Sequence, residues 1–95
     1  MRECIIHGDR VTGWAGLYDQ LSEDLALPEW FGRNLDALYD CLTDLHDSQI
    51  TIYHWHDLAD RLGEKAIAFR QMLISAGLEN PFLTVCILDE EPDEI

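Results

Sequence analysis

The sequence predicts a small α/β protein with a three-stranded parallel sheet. A β-branched stretch, an alternating stretch and a continuous apolar stretch are separated by segments whose apolar residues recur every three or four positions. Those separations are long enough for helical crossovers, the connections that parallel neighbours require. The 95 residues allow one modest core and no second domain.

The first strand is read at residues 3–7, Glu-Cys-Ile-Ile-His, ending at Gly8-Asp9. A helix opens at Thr12-Gly13, with Trp14, Leu17, Tyr18, Leu21 and Leu25 on one face, and stops by Leu27 because Pro28 disfavours helical backbone before it. Pro28-Glu29-Trp30-Phe31-Gly32 is a connector in which Phe31 packs inward and Trp30 does not. Asn34 then caps a second helix whose seam is Leu35, Leu38, Leu42 and Leu45, with Ala37 and Cys41 at its margins.

Residues 49–55 alternate, placing Ile50, Ile52 and His54 on one side and Thr51, Tyr53 and Trp55 on the other. A short helical turn at residues 56–62 ends at Gly63. A longer helix follows, burying Ala66, Phe69, Leu73 and Ala76, with Gly77 as its left-handed cap. The run at residues 82–88 reads as a strand covered on both faces or nearly so. Five acids in the six residues from Asp89 to Glu94 then make a tail that cannot pack, so the domain is placed at 1–88 and the frayed tail at 89–95.

Asp and Glu number 19 against 6 Lys and Arg, a formal net charge of −13 and a pI near 4.3. Nucleic acid and anionic membrane are thereby disfavoured as direct ligands, since binding to phosphate draws on Lys and Arg. The expected partner is basic, met at a rate that falls as salt rises. The apolar run Cys4-Ile5-Ile6 is too short for a signal peptide, and no stretch has transmembrane length. Cys4, Cys41 and Cys86, odd in number and set among apolar neighbours, read as buried reduced thiols of a cytoplasmic protein.

Chemistry concentrates in the second helix. Asp36, Asp40 and Asp44 repeat every four residues, and Asp47 follows. Like charges so spaced cost roughly 0.2–0.5 kcal/mol per pair. Six Asp and no Lys or Arg lie between Asn34 and Asp60, and the helix dipole disfavours an anion at Asp44, near the C-terminal end. Either the row is a solvated face or it faces a partner, with Asp40 at its centre and Tyr39 and Trp30 supplying aromatic contact area.

A metal-dependent hydrolase using the Asp row, or His54 and His56 with Asp57 and His46, is a lesser reading, because zinc wants three or four convergent ligands and the strand ends near His54. An acidic scaffold for another basic protein is a third. No serine has an adjacent base or a glycine elbow, and a convex helix face lacks the pocket that would tune a carboxylate pair. The residues call for no cofactor and no metal, and for no enzymatic role.

From Leu25 to Thr43 the chain reads Leu-Ala-Leu-Pro-Glu-Trp-Phe-Gly-Arg-Asn-Leu-Asp-Ala-Leu-Tyr-Asp-Cys-Leu-Thr. Leu-Pro-Glu, two aromatics and Gly, then Asn-Leu-Asp-Ala-Leu, an aromatic and Asp-Cys-Leu-Thr, closely resemble the barstar family of intracellular ribonuclease inhibitors. The resemblance implies a two-layer fold with about four helices. It also implies a 1:1 partner, a basic ribonuclease of guanyl-specific microbial type or a nuclease toxin, whose RNA-binding cleft the second helix and preceding loop would plug.

In that family Trp30 would match a contact tyrosine, Asp36 a contact aspartate, Tyr39 a contact tryptophan, and Asp40 the acid that takes the phosphate's place. Asn34 matches an asparagine at the helix start, and Thr43 the helix threonine. Asp44-Leu45-His46 stands where the family has Gly-Trp-Val, so Asp44 and His46 would alter the rim. A family glutamate on the last helix aligns near Ser75, leaving Glu79 as its candidate substitute.

Overall fold

A computed structural model describes residues 1–29 and 31–90. Its strands β1 (Arg2–His7), β2 (Ser48–Tyr53) and β3 (Leu83–Ile87) lie parallel in chain order, with β2 central. The register aligns Cys4, Ile50 and Val85, and then Ile6, Ile52 and Ile87. Cys4, Ile6, Ile50 and Ile52 are wholly buried on the face covered by helices, whereas Ile5, on the other face, is exposed. The result is a two-layer architecture with helices on one face; the other face is open at the outer strands, while Thr51 of central β2 is still buried there.

Four helices are present among the described residues: α1 (Trp14–Asp24), α2 (Leu35–Thr43), α3 (Trp55–Leu62) and α4 (Ala66–Glu79), with a 3-10 turn at Gly63–Lys65 before α4. None is long and apolar enough to cross a membrane. Trp14 meets Phe69 of α4 edge-on at 5.7 Å between centroids and donates its indole N–H to the Leu62 carbonyl at 3.0 Å, tying α1 to α3 and α4. Phe31 is buried edge-on against Tyr18, which roots the α1–α2 loop as its sequence predicts.

Helix α1 stops before Leu27, as the sequence predicts, and does so in a Schellman motif: Leu27 N donates to Ser22 O at 3.0 Å and Ala26 N to Glu23 O at 3.4 Å, with Ala26 left-handed at φ 51. Sequence alone hides the motif, because the position normally holds glycine. Four local expectations need correcting. Strand β2 stops at Tyr53, since His54 turns left-handed at φ 57 and sends Trp55 into α3 as a buried residue. His54 therefore leaves the face of Ile50 and Ile52. Gly8 permits this turn: its N–H bonds Tyr53 O, and a Cβ there would lie 2.3 Å from His54 O.

Gly77 is not a cap. Helix α4 runs two residues past it, and a Cβ on Gly77 would sit 3.3 Å from Val85 Cγ2, so this glycine permits close approach of α4 to β3. Strand β3 is an edge strand, with Leu83 buried, Thr84 exposed, and Val85, Cys86 and Ile87 half-buried, because β2 takes the middle of the sheet. Cys4 and Cys41 are buried free thiols, but Cys86 faces the open side and is only half-buried.

Candidate partner-binding site

The α1–α2 loop and α2 form one continuous ridge. Asn34 sits at the N-cap with extended backbone, and its Oδ1 accepts the Ala37 N–H at 2.8 Å. Arg33 before it is left-handed at φ 53 and reaches back to the Ala15 carbonyl at 3.0 Å and the Asp19 carboxylate at 2.9 Å. The guanidinium also lies 5.7 Å from the centre of the Tyr18 ring. This cation thus anchors the loop to α1, and its ion pair within 4 Å is with Asp19 and not with the acids that follow.

Leu38, Cys41 and Leu42 turn inward, so the four-residue repeat of Asp36, Asp40 and Asp44 emerges on the outer face, and all three are exposed. Asp36 lies in the first turn, where the helix dipole favours an anion, and Asp44 occupies the C-cap, where it does not. Among the described residues none of the three pairs with a cation within 4 Å. Cys41 lies between them in sequence. Burial pushes its thiol pKa up, and the charges of Asp40 and Asp44 push it further in the same direction.

A groove flanks the ridge on each side. Between α2 and α4 lies an open one of about 620 Å³, walled by Asp36, Tyr39 and Asp40 and by Ala68, Met72 and Ser75. Between α2 and the α1–α2 loop lies a narrower one of about 250 Å³, lined by Leu27, Pro28, Cys41 and Leu45, with Asp40 and Asp44 among its walls. Asp40 borders both. The combination is an apolar surface with anionic edges, suited to cationic side chains whose stems are apolar.

The other sequence candidates divide. Tyr39 is half-buried in the wider groove, beside Asp36 and Asp40 as expected. Thr43 is half-buried with its hydroxyl donated to the Asp40 carbonyl at 3.0 Å, so it braces the helix end. His46 is exposed beyond α2, with its ring 5.8 Å from that of Phe82. Glu79 is the exposed last residue of α4; by spacing it continues the row of Ala68, Met72 and Ser75, one turn beyond the groove they wall. Trp30 and the tail from residue 91 onward lie outside the described residues.

His54 and His56 do not converge: His54 lies 3.9 Å from Asp9, and His56 lies 3.4 Å from Asp89. No three His, Cys, Asp or Glu side chains are placed to hold a metal among the described residues.

Sequence reasoning missed Asn80. It is buried, 4% exposed, and its side-chain N–H groups reach the Leu42 carbonyl at 2.9 Å and the Leu45 carbonyl at 2.8 Å, while its Oδ1 accepts the Phe82 N–H at 3.0 Å. The last carbonyls of a helix lack intrahelical donors, so Asn80 caps the end of α2 from 35 or more residues away in the chain. That fixes where Asp44 and His46 stand. An asparagine before proline reads as an ordinary turn signal, and nothing local marks its partners.

A family model described as Barstar (barnase inhibitor) matches residues 1–85 of the 95. A Bacillus subtilis (strain 168) protein named "Putative ribonuclease inhibitor YrdF" is 44% identical over 52 residues. That match spans 55% of this chain and 57% of the relative.

Proposed function

This chain belongs to the barstar family, and we propose from that premise that it is a protein inhibitor of a basic ribonuclease, acting by occupation of the enzyme's phosphate-binding cleft. The observation that carries the reading is the exposed row Asp36, Asp40 and Asp44, which pairs with no cation within 4 Å among the described residues and lies between two apolar grooves. Exposed carboxylates in water contribute little to a free protein. Moved into a cationic cleft that excludes water, the same carboxylates make charge-assisted hydrogen bonds and gain most in the complex.

Asp40, at the middle of the row and on the wall of both grooves, takes the place of an RNA phosphate. Asp36 and Tyr39 flank it on the α4 side, while Asp44 and His46 form the rim beyond the helix. Asn34 and Thr43 hold the two ends of α2 in shape, Glu79 extends the contact surface at its margin, and Trp30 is taken as a further aromatic contact on the strength of the sequence alone. The protein performs no chemistry in this reading. It is a 1:1 decoy in the cytoplasm of the cell that makes a guanyl-specific nuclease or nuclease toxin, and residues 1–88 are the inhibitory domain.

The test is titration of the protein into RNA-cleavage assays with a panel of basic guanyl-specific ribonucleases, at low and high salt. Stoichiometric inhibition by wild type, lost in Asp40→Ala, is expected. Truncating one member of a desolvated charge pair costs about 2–5 kcal/mol, a range to which complexes of this same family contributed, and this corresponds to roughly 30- to 4,000-fold weaker inhibition. Cleavage undiminished across the panel with the protein in excess refutes the reading. Full inhibition by Asp40→Ala refutes the central role of that acid.

A further inference from the structure

The narrower groove has the stronger chemical signature. Its floor is apolar, made by Leu27 and Pro28 from the loop and by Cys41 and Leu45 from α2 and its exit. Leu27, Pro28 and Leu45 are each half-buried, so the surface is walled and still open to a visitor. The left-handed Ala26, which ends α1, closes one side. Its two charged walls are Asp40 and Asp44, four residues apart and therefore about 5–6 Å apart at Cβ. Neither carboxylate is paired with a cation among the described residues. Both acids raise the pKa of Cys41, so their field reaches into the groove.

We propose that this groove, between the α1–α2 loop and the C-terminal half of α2, receives one arginine side chain of the partner, with its stem on Leu27, Pro28 and Leu45 and its guanidinium between Asp40 and Asp44. The inference rests on the inhibitor reading and adds to it a second cation subsite, on the flank of α2 away from Asp36 and Tyr39. Charge complementarity selects the occupant. Two acids beside an apolar trough fit a long aliphatic stem with a cationic head. Two separated carboxylates favour arginine over lysine, because a planar guanidinium has five N–H donors in a fixed fork and is more weakly hydrated than an ammonium. Asp44 makes the site, for without it Asp40 would stand alone beside the trough.

The experiment is a methyl-resolved NMR titration of the full chain with n-butylguanidinium, with n-butylammonium and n-butylurea run in parallel. Saturable shifts at the Ala26, Leu27 and Leu45 methyls are expected with butylguanidinium. They are expected to be weaker with butylammonium, absent with butylurea, and reduced at least threefold in affinity by Asp44→Asn. Non-saturating shifts, an equal response to butylurea or butylammonium, or an unchanged response in Asp44→Asn overturns the proposal.

A second arm uses any guanyl-specific ribonuclease that wild type inhibits. Asp44→Asn is expected to weaken inhibition about tenfold, and unaltered inhibition overturns the subsite. Binding of butylguanidinium in the groove by a wild type that inhibits no ribonuclease upholds the guanidinium site and overturns the inhibitor reading, which separates the two failures.

Discussion

Replacing Asn80 by alanine should destabilise the whole protein and loosen the end of α2 in particular. The side chain is 4% exposed and makes three hydrogen bonds of 2.8–3.0 Å. Two of the groups it serves, the Leu45 carbonyl and the Phe82 N–H, have no other partner among the described residues, whereas the Leu42 carbonyl still accepts from Leu45 N at 3.3 Å. Leaving a buried polar group unsatisfied costs about 1–3 kcal/mol, towards the low end where water can reach it. Leu45 is half-buried and Phe82 exposed, so two orphaned groups and one weakened acceptor sum to about 2–3 kcal/mol. For a domain of this size that is roughly 8–24 °C in Tm.

Thermal and urea unfolding followed by circular dichroism measure it. Asn80→Asp is the sharper variant, since it keeps the shape and the acceptor for Phe82 but has no N–H to give the two carbonyls. It should melt at least as early as Asn80→Ala at neutral pH. Amide exchange should show the added opening at residues 43–46 before the rest of α2. A Tm for Asn80→Ala within about 3 °C of wild type refutes the claim that this side chain holds the helix end.

Gly8→Ala should cost about 3 kcal/mol or more in urea unfolding, because its Cβ would meet backbone oxygens of His54 and Tyr53 at 2.3 and 2.7 Å and neither can swing aside. Ala26→Gly should raise stability by about 0.5–1 kcal/mol, as glycine relieves a left-handed alanine at φ 51; a melting point lower than wild type contradicts the Schellman assignment. Alkylation of Cys41, followed by mass spectrometry at a fixed pH below its thiol pKa, should accelerate in Asp40→Asn and Asp44→Asn. Removing either negative charge lowers the thiol's raised pKa and increases the thiolate fraction, so an unchanged rate would show that the carboxylates do not act on it. With an inhibited ribonuclease, the association rate should fall steeply between about 0.02 and 0.5 M salt while the dissociation rate changes less, measured by stopped flow.

Local sequence by itself determined the elements and the acid row. The burial of Ala66, Phe69, Leu73 and Ala76 in α4, the Asn34 cap and the exposure of Asp36, Asp40 and Asp44 all follow from spacing along one helix, because helical periodicity and capping act within a few residues. The tertiary structure alone decided which strand is central, that Gly77 serves the approach of α4 to β3 and not a helix end, and that Ser75 and Met72 share a groove with Tyr39. It also decided the role of Asn80, whose partners lie at least 35 residues away. Each of these depends on two segments that meet only after the chain has folded. A row of carboxylates is legible in one dimension; the grooves on either side of it, which make it a surface that recognises particular cations, exist only where α2 packs against α4 and the loop after α1.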